Sequence, residues 1–266
     1  MSTFQTKYGP WAVVAGASEG LGEAFARELA ARGLNLVLIA RRATVLQALA
    51  DGITKAHPNV QVRCAALDLG RPDLDSALAP FVEDLEVGLL VGNAARSVVG
   101  RFVDHPLADQ LNVLDVNCRA LVVLAHRFGR GMVARRRGGI LVMSSIAAAQ
   151  GGPFLATYAA SKGFDLLFAE ALWHELAPQG VDVMACRAGA TLTPNYERLR
   201  PQGTPPPLMS AEAVVEEALA ELGRSPSFVA GWKNRLASSL LGLLPRRAAI
   251  GIMGKTTARM YAELVK

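Results

Sequence analysis

A doubly wound α/β sheet of parallel strands is the fold this sequence predicts. Three observations predict it. Short apolar runs alternate with longer helical patterns along nearly the whole chain, and such alternation implies right-handed β-α-β crossovers. The apolar runs are continuous rather than alternating, which suits strands covered on both faces. A glycine-rich turn joins the first apolar run to the first helical pattern, where such sheets pass tightly from strand to helix.

Taken in order, residues 11–15, 34–40, 60–66, 87–91, 139–143 and 181–186 read as buried strands, and 228–230 as a short seventh. Residues 21–32, 44–57, 73–83, 107–135 and 157–178 carry helical periodicity. Arg135, Arg136 and Arg137 close the fourth helix before Gly138 and Gly139, where cations complement a helix C-terminus. No linker splits the chain and no repeat occurs, so residues 1–266 read as a single domain. Two stretches break the rhythm. Residues 195–208 are rich in proline and read as a mobile loop, within a substrate loop at 191–209. Residues 232–263 read as a helical tail with an apolar patch at 236–244.

Composition narrows the functional classes. A length of 266 residues supports a substantial core. Cys64, Cys118 and Cys186 are odd in number and far apart, which argues against a disulfide framework and for a reducing compartment, read here as the cytoplasm. His57, His105, His126 and His174 show no ligand spacing, so no metal is expected. The first ten residues lack a signal-peptide core, and no run of 18 apolar residues occurs. The net charge is +5, with basic residues concentrated after Gly223 against the single acid Glu263. A basic tail meets nucleic acid, an anionic membrane or only water. The solvated reading is the simplest, and no nucleic-acid partner is expected.

Gly16-Ala17-Ser18-Glu19-Gly20-Leu21-Gly22 follows a predicted strand and opens a predicted helix. Gly16 allows the tight turn, Gly20 lets backbone approach a pyrophosphate, and Gly22 lets helix and strand pack closely. The helix N-terminus then offers free N–H groups to phosphate. The second strand ends in Ala40, where an acid would bind the ribose hydroxyls of NAD. Arg41 and Arg42 follow it, and guanidinium forks suit the 2′-phosphate of NADP. Tyr158 and Lys162 stand four residues apart, on one helix face. A free phenol, with a pKa of about 10, is a poor base. A cation beside it favours phenolate, and such a tyrosine can donate a proton to a carbonyl or accept one from an alcohol. Ser145 lies thirteen residues upstream.

With these motifs in order, the chain resembles the short-chain dehydrogenase/reductase family over nearly its whole length. The Gly turn, with Ser18, Glu19 and Leu21, matches that family's cofactor motif. Asp68-Leu69 matches the acidic pair that holds adenine, and Asn93-Ala94 the core of its N-N-A-G motif. Asn117 matches the helix asparagine, and Ser145, Tyr158 and Lys162 complete the catalytic tetrad. Gly189, Thr191 and Thr193 lie in the segment matching P-G-x-x-x-T, which clasps the nicotinamide amide. Ala15, Gly92, Ala95 and Ala188 depart from the family pattern in the cofactor cradle, and none removes a catalytic group.

The resemblance implies a Rossmann-type sheet and an NADP(H)-dependent enzyme that interconverts a carbonyl and a secondary alcohol. Tyr158 is then the proton donor and acceptor, and Lys162 tunes it and holds the nicotinamide ribose. Ser145 holds the substrate oxygen, and Asn117 interrupts its long helix and holds a water linking Lys162 to solvent. The alternative is a non-catalytic nucleotide sensor or scaffold on the same fold. The loops at 95–102, 146–154 and 191–208 are largely apolar or small, which points to an apolar ketone or alcohol, acyl, steroid-like or aromatic. Arg96, Arg198 and Arg200 are the cations that could reach it. Helices 107–132 and 157–178 carry more apolar surface than one sheet face covers, and the resemblance pairs them into a homodimer or homotetramer. In the tail, Leu236, Leu240 and Leu243 share one helix face. The protein's own body is the expected cover, closing the substrate pocket, ahead of a partner subunit or a membrane surface.

Overall fold

The computed structural model describes residues 3–198 and 208–265. Its main sheet contains β1 (Trp11–Ala15), β2 (Asn35–Ala40), β3 (Val62–Ala66), β4 (Val87–Gly92), β5 (Gly138–Ser145) and β6 (Val181–Ala188). A short pair, β7 (Thr191–Leu192) and β8 (Met209–Ser210), stands apart, and β9 (Ser227–Val229) closes the main sheet at one edge. The strand order is β3-β2-β1-β4-β5-β6-β9, and every pairing is parallel. The expected doubly wound sheet of seven strands is therefore present.

The pleat divides the core in two. Ala12 and Val14 of β1 face one side, with Phe25, Leu29, Leu46 and Val214. Trp11, Val13 and Ala15 face the other, with Leu78, Leu124, Phe128 and Ala169. The first layer is α2 (Gly20–Ala31), α3 (Ala43–Ala56) and α9 (Ala211–Glu221); the second is α4 (Leu74–Val82), α6 (Ala120–Arg135) and α7 (Ala156–Leu176). Burial on both faces explains the continuous apolar runs. The chain crosses layers between β3 and β4, so the sheet opens a crevice outside the C-terminal ends of β1 and β4.

Several elements differ from the sequence expectation. A first helix, α1 (Thr3–Tyr8), carries too few residues to show a period. It is anchored by Tyr8, whose hydroxyl donates to Asp182. The long helix expected over 107–135 is α5 (Leu107–Leu114), a π-turn at Asp115–Arg119 and α6. Arg135 and Arg137 do more than cap it. Arg135 donates to the Val87 carbonyl at 2.8 Å, and Arg137 pairs with Glu86. The expected mobile loop at 195–208 starts with a short helix, α8 (Pro194–Arg198), and Met209–Ser210 pairs with Thr191–Leu192. Residues 199–207, including Arg200, lie outside the described residues.

The tail is two helices broken at Pro245: α10 (Trp232–Gly242) and α11 (Arg246–Met260). The apolar face of α10 is not covered by the body as expected. Leu236 and Leu240 are 56% and 57% exposed, and Trp232 and Leu243 are also exposed. Only Asn234 of α10 is buried. The part that packs on the body is α11, where Ala249 and Thr257 are buried and Gly254 stands against Pro153. No described helix is long and apolar enough to cross a membrane.

Candidate active site

The crevice is a cavity of about 590 Å³, its walls drawn from the ends of β1 to β4. Gly16 (φ +82°) turns the chain after β1, and a Cβ there would strike the Ala94 backbone. At Gly22 a Cβ would lie 1.9 Å from the Gly16 carbonyl oxygen, so helix α2 abuts the turn only because both positions are glycine. Asn93 Nδ2 donates to that same Gly16 carbonyl at 3.0 Å. Asn93 thus braces the turn, and Ala94 packs against it.

Ser18, Glu19, Gly20, Leu21, Arg41, Arg42, Asp68 and Leu69 line the same cavity. The Asp68 carboxylate accepts from the Gly70 amide at 2.9 Å. Arg42 is not a free cation as expected: it donates to Glu19 at 2.7 Å and to Ser18 Oγ at 3.1 Å. Arg198 holds the other side of Glu19, and this hydrogen bond, then Arg42, keeps the Glu19 carboxyl below its ordinary range. Arg41 enters no ion pair among the described residues, which leaves its guanidinium for an anionic ligand. Arg96 lines the cavity too, but is paired with Asp109 at 2.6 Å.

The segment after β6 folds back over the turn. Thr193 packs on Gly20, and Thr191 Oγ1 donates to the Gly189 carbonyl at 3.2 Å. Gly189 itself is pressed against the Asn234 side chain, and Asn234 is anchored on the Ala230 carbonyl at 2.9 Å. The tail therefore buttresses this segment from behind, a role no motif in the sequence announces.

The chemistry-bearing side chains meet where β5 ends against α7. Ser145 is the last residue of β5, and its Oγ accepts from the Ala147 amide at 3.1 Å. Lys162 is 3% exposed. Its Nζ donates to the Met143 carbonyl at 2.7 Å, two residues before Ser145, and to Asp165 Oδ2 at 2.9 Å. Burial alone pulls the Lys162 pKa down; Asp165 and then Tyr158 more than offset it, so the net direction is up. The ammonium stays charged beside the Tyr158 phenol. Ser145, Tyr158 and Lys162 are thus brought to one corner.

Asn117 is buried at the centre of its helix. It lies in the π-turn, as an interrupted helix implies, but its side chain is occupied. Oδ1 accepts from the Arg96 amide at 2.7 Å, and Nδ2 donates to the Arg96 carbonyl and to Ser161 Oγ. Asn117 braces the loop after β4 against α7. Asp165, the direct partner of Lys162, went unread because a lone acid three residues after a lysine is common on any helix.

The loops after β4 and β5 are joined by the Gly100 amide donating to the Phe154 carbonyl at 2.9 Å. Tyr261, just past α11, is half-buried; burial raises its pKa, and Tyr196 and Tyr158 add to the shift. Three phenols therefore share one neighbourhood, and the Tyr196 hydroxyl is buried with no partner among the described residues. No group of acids, histidines and cysteines among the described residues could hold a metal.

Comparison with known proteins gives the family. A family model described as short chain dehydrogenase matches residues 10–203. A 7β-hydroxysteroid dehydrogenase of Clostridium sardiniense is 31% identical over 255 residues, covering 95% of this chain and 97% of that one. A very-long-chain 3-oxoacyl-CoA reductase of Aspergillus terreus is 35% identical over 226 residues; the match covers 82% of this chain and 62% of that longer protein. A solved 7β-hydroxysteroid dehydrogenase superposes with a TM-score of 0.89 at 29% identity, covering 95% of this chain and all of that one. A short-chain dehydrogenase from Sphingobium yanoikuyae in complex with NADPH gives 0.78 at 29% identity, covering 92% and 95%. The chain belongs to the short-chain dehydrogenase family of oxidoreductases.

Proposed function

We propose that the protein is an NADP(H)-dependent oxidoreductase interconverting a carbonyl and a secondary alcohol on an apolar substrate. The observation that carries this reading is the corner formed by β5 and α7. A buried, charged Lys162 beside Tyr158 is fastened to the strand that ends in Ser145.

The glycine cradle fits a dinucleotide, since added Cβ atoms at Gly16 and Gly22 would collide with backbone. Gly16, Gly20 and the first turn of α2 would hold the pyrophosphate. Asp68 and Leu69 would flank the adenine, Thr191 and Thr193 the nicotinamide amide, and Arg41 the 2′-phosphate. The NADPH complex of a relative supports the phosphorylated cofactor. When bound, the nicotinamide supplies the hydride.

The side chains of this protein supply the proton and the placement. Tyr158 gives its phenolic proton to the carbonyl oxygen in reduction and takes one back in oxidation. Lys162 holds the charge beside it. Ser145 donates its hydroxyl to the substrate oxygen as negative charge develops there. Asn117 keeps the loop after β4 seated on α7. The substrate is apolar and bulky on this reading, because the loops at 95–102, 146–154 and 191–208 are largely apolar or small in sequence, and because relatives are named for a hydroxysteroid and a very-long-chain 3-oxoacyl-CoA. We place the whole chain in one domain. We further propose a homodimer or homotetramer, since α5 and α7 leave Leu107, Leu111, Phe164 and Leu167 exposed.

A panel of steroid, acyl and aromatic ketones with NADPH and with NADH, followed at the nicotinamide absorbance, tests the reading. Oxidation of NADPH by bulky apolar ketones supports it. Tight NADPH binding without turnover of any ketone favours the sensor alternative.

A further inference from the structure

Asp165 lies three residues after Lys162 on α7 and is 2% exposed. Its Oδ2 accepts from the Lys162 ammonium at 2.9 Å. Its Oδ1, equally buried, has no donor among the described residues. An unpaired buried carboxylate oxygen is costly, so this position calls for a polar occupant. Beside it is a cavity of about 10 Å³ whose walls include Asp165, Asn117, Ala15, Gly92 and Leu121. One water centre needs roughly 10–15 Å³, so the space matches a single water and little else.

The lysine's own inventory points the same way. An ammonium has three N–H donors. The Met143 carbonyl and Asp165 take two, which leaves one for a ligand. A lysine this deeply buried loses its charge unless an anion stands beside it. The titratable groups facing the pair are Tyr158 on α7 itself and Cys118 in the π-turn. Ala15 of β1, Gly92 of β4 and Leu121 of α6 bring no charge.

We propose that Asp165 is the positioning residue of Lys162, holding its ammonium with one N–H free for the cofactor, and that Asp165 Oδ1 binds one internal water in the adjacent cavity. This rests on the functional reading above for what Lys162 does, but not for the pairing itself.

The test is Asp165→Asn, which keeps shape and removes the charge, with Asp165→Ser as a second variant. The first readout is cofactor-free: NMR of ¹³C-lysine-labelled protein, following the Lys162 ε-carbon with pH. Asp165 raises the Lys162 pKa, so wild-type Lys162 stays charged beyond the ordinary lysine value. Without the carboxylate, burial dominates, and the ammonium is lost at lower pH. The alkaline limb of kcat for ketone reduction moves to lower pH in the same way, kcat falls at least tenfold, and KM for the ketone changes less than twofold. A crystal structure supports the second half if an ordered water lies within hydrogen-bond reach of Oδ1.

Coincident Lys162 titrations in wild type and a folded variant overturn the proposal. So does an unshifted kcat profile with only a lower melting temperature, which marks a purely structural pair. A dry cavity overturns the water site. If both variants fail to fold, the wild-type titration decides: Lys162 titrating below the ordinary lysine value sinks the idea. If no ketone is turned over, the functional reading fails, while the cofactor-free titration still judges this one.

Discussion

Ser144 Oγ donates to the backbone carbonyl of Lys162 across 2.8 Å in the interior. Together with the Lys162 bond to the Met143 carbonyl, it fastens the end of β5 to the second turn of α7. Ser145 follows on the strand, and Tyr158 precedes on the helix. The relative placement of these two side chains is therefore set by side-chain bonds from Ser144 and Lys162 to backbone carbonyls.

Ser144→Ala removes one of those fasteners. The expected loss of stability is about 1 kcal/mol, the net worth of one hydrogen bond, read as a lower denaturant midpoint at constant m-value. The kcat for a confirmed ketone falls about tenfold or more, since small misplacements of reacting groups are costly. NADPH affinity stays nearly unchanged. Unaltered kcat with lowered stability would show that the clamp serves folding alone.

Cofactor choice is expected to rest on Arg41 more than on Arg42, because Arg42 is already engaged by Glu19. Arg41→Ala weakens NADPH roughly ten- to a hundredfold, the equivalent of 1.5–3 kcal/mol for a hydrogen bond to a charged group. NADH affinity barely moves. Titration calorimetry with both cofactors measures this, and equal wild-type affinities for the two would refute it.

Much of this was legible in the sequence, for physical reasons. Strands covered on both faces must be apolar throughout, so residues 11–15 and 181–186 announced themselves. Glycines required by close packing, such as Gly22, cannot be exchanged without collision, so the cradle was readable as a motif. What was not legible depends on tertiary pairing. Asp165 differs from any helix acid only by being buried. The Asn234 contact with Gly189 joins residues 45 apart, with no periodicity to mark it. The apolar stripe of α10 was visible, but a stripe does not reveal its cover, and the expected cover was wrong.

Assembly is the third expectation. Leu167 of α7 is 67% exposed amid other apolar side chains of α5 and α7, and isologous two-fold contacts are the commonest way to bury such a face. Light scattering at micromolar concentration is expected to give at least a dimer mass. Leu167→Lys shifts the protein toward monomer. A wild-type monomer mass would rule the interface out.

The fourth concerns α11. Deleting residues 246–266 removes α11 from beside Pro153, and Tyr261 with it, but keeps Asn234 behind Gly189. KM for a bulky apolar ketone rises about tenfold, as for ~1.4 kcal/mol of lost apolar contact. NADPH affinity changes little. Equal effects on ketone and NADPH would place α11 in the general fold instead of the pocket.

The central claim is that Tyr158 transfers the proton, and Tyr158→Phe tests it most directly, since only the phenolic oxygen is lost. Steady-state reduction of a confirmed ketone is measured beside NADPH binding by fluorescence. The account predicts a fall in kcat of at least about a hundredfold, the lower range for loss of a general acid, with NADPH affinity within a few-fold of wild type. A Phe variant that keeps more than a few per cent of wild-type turnover would contradict it.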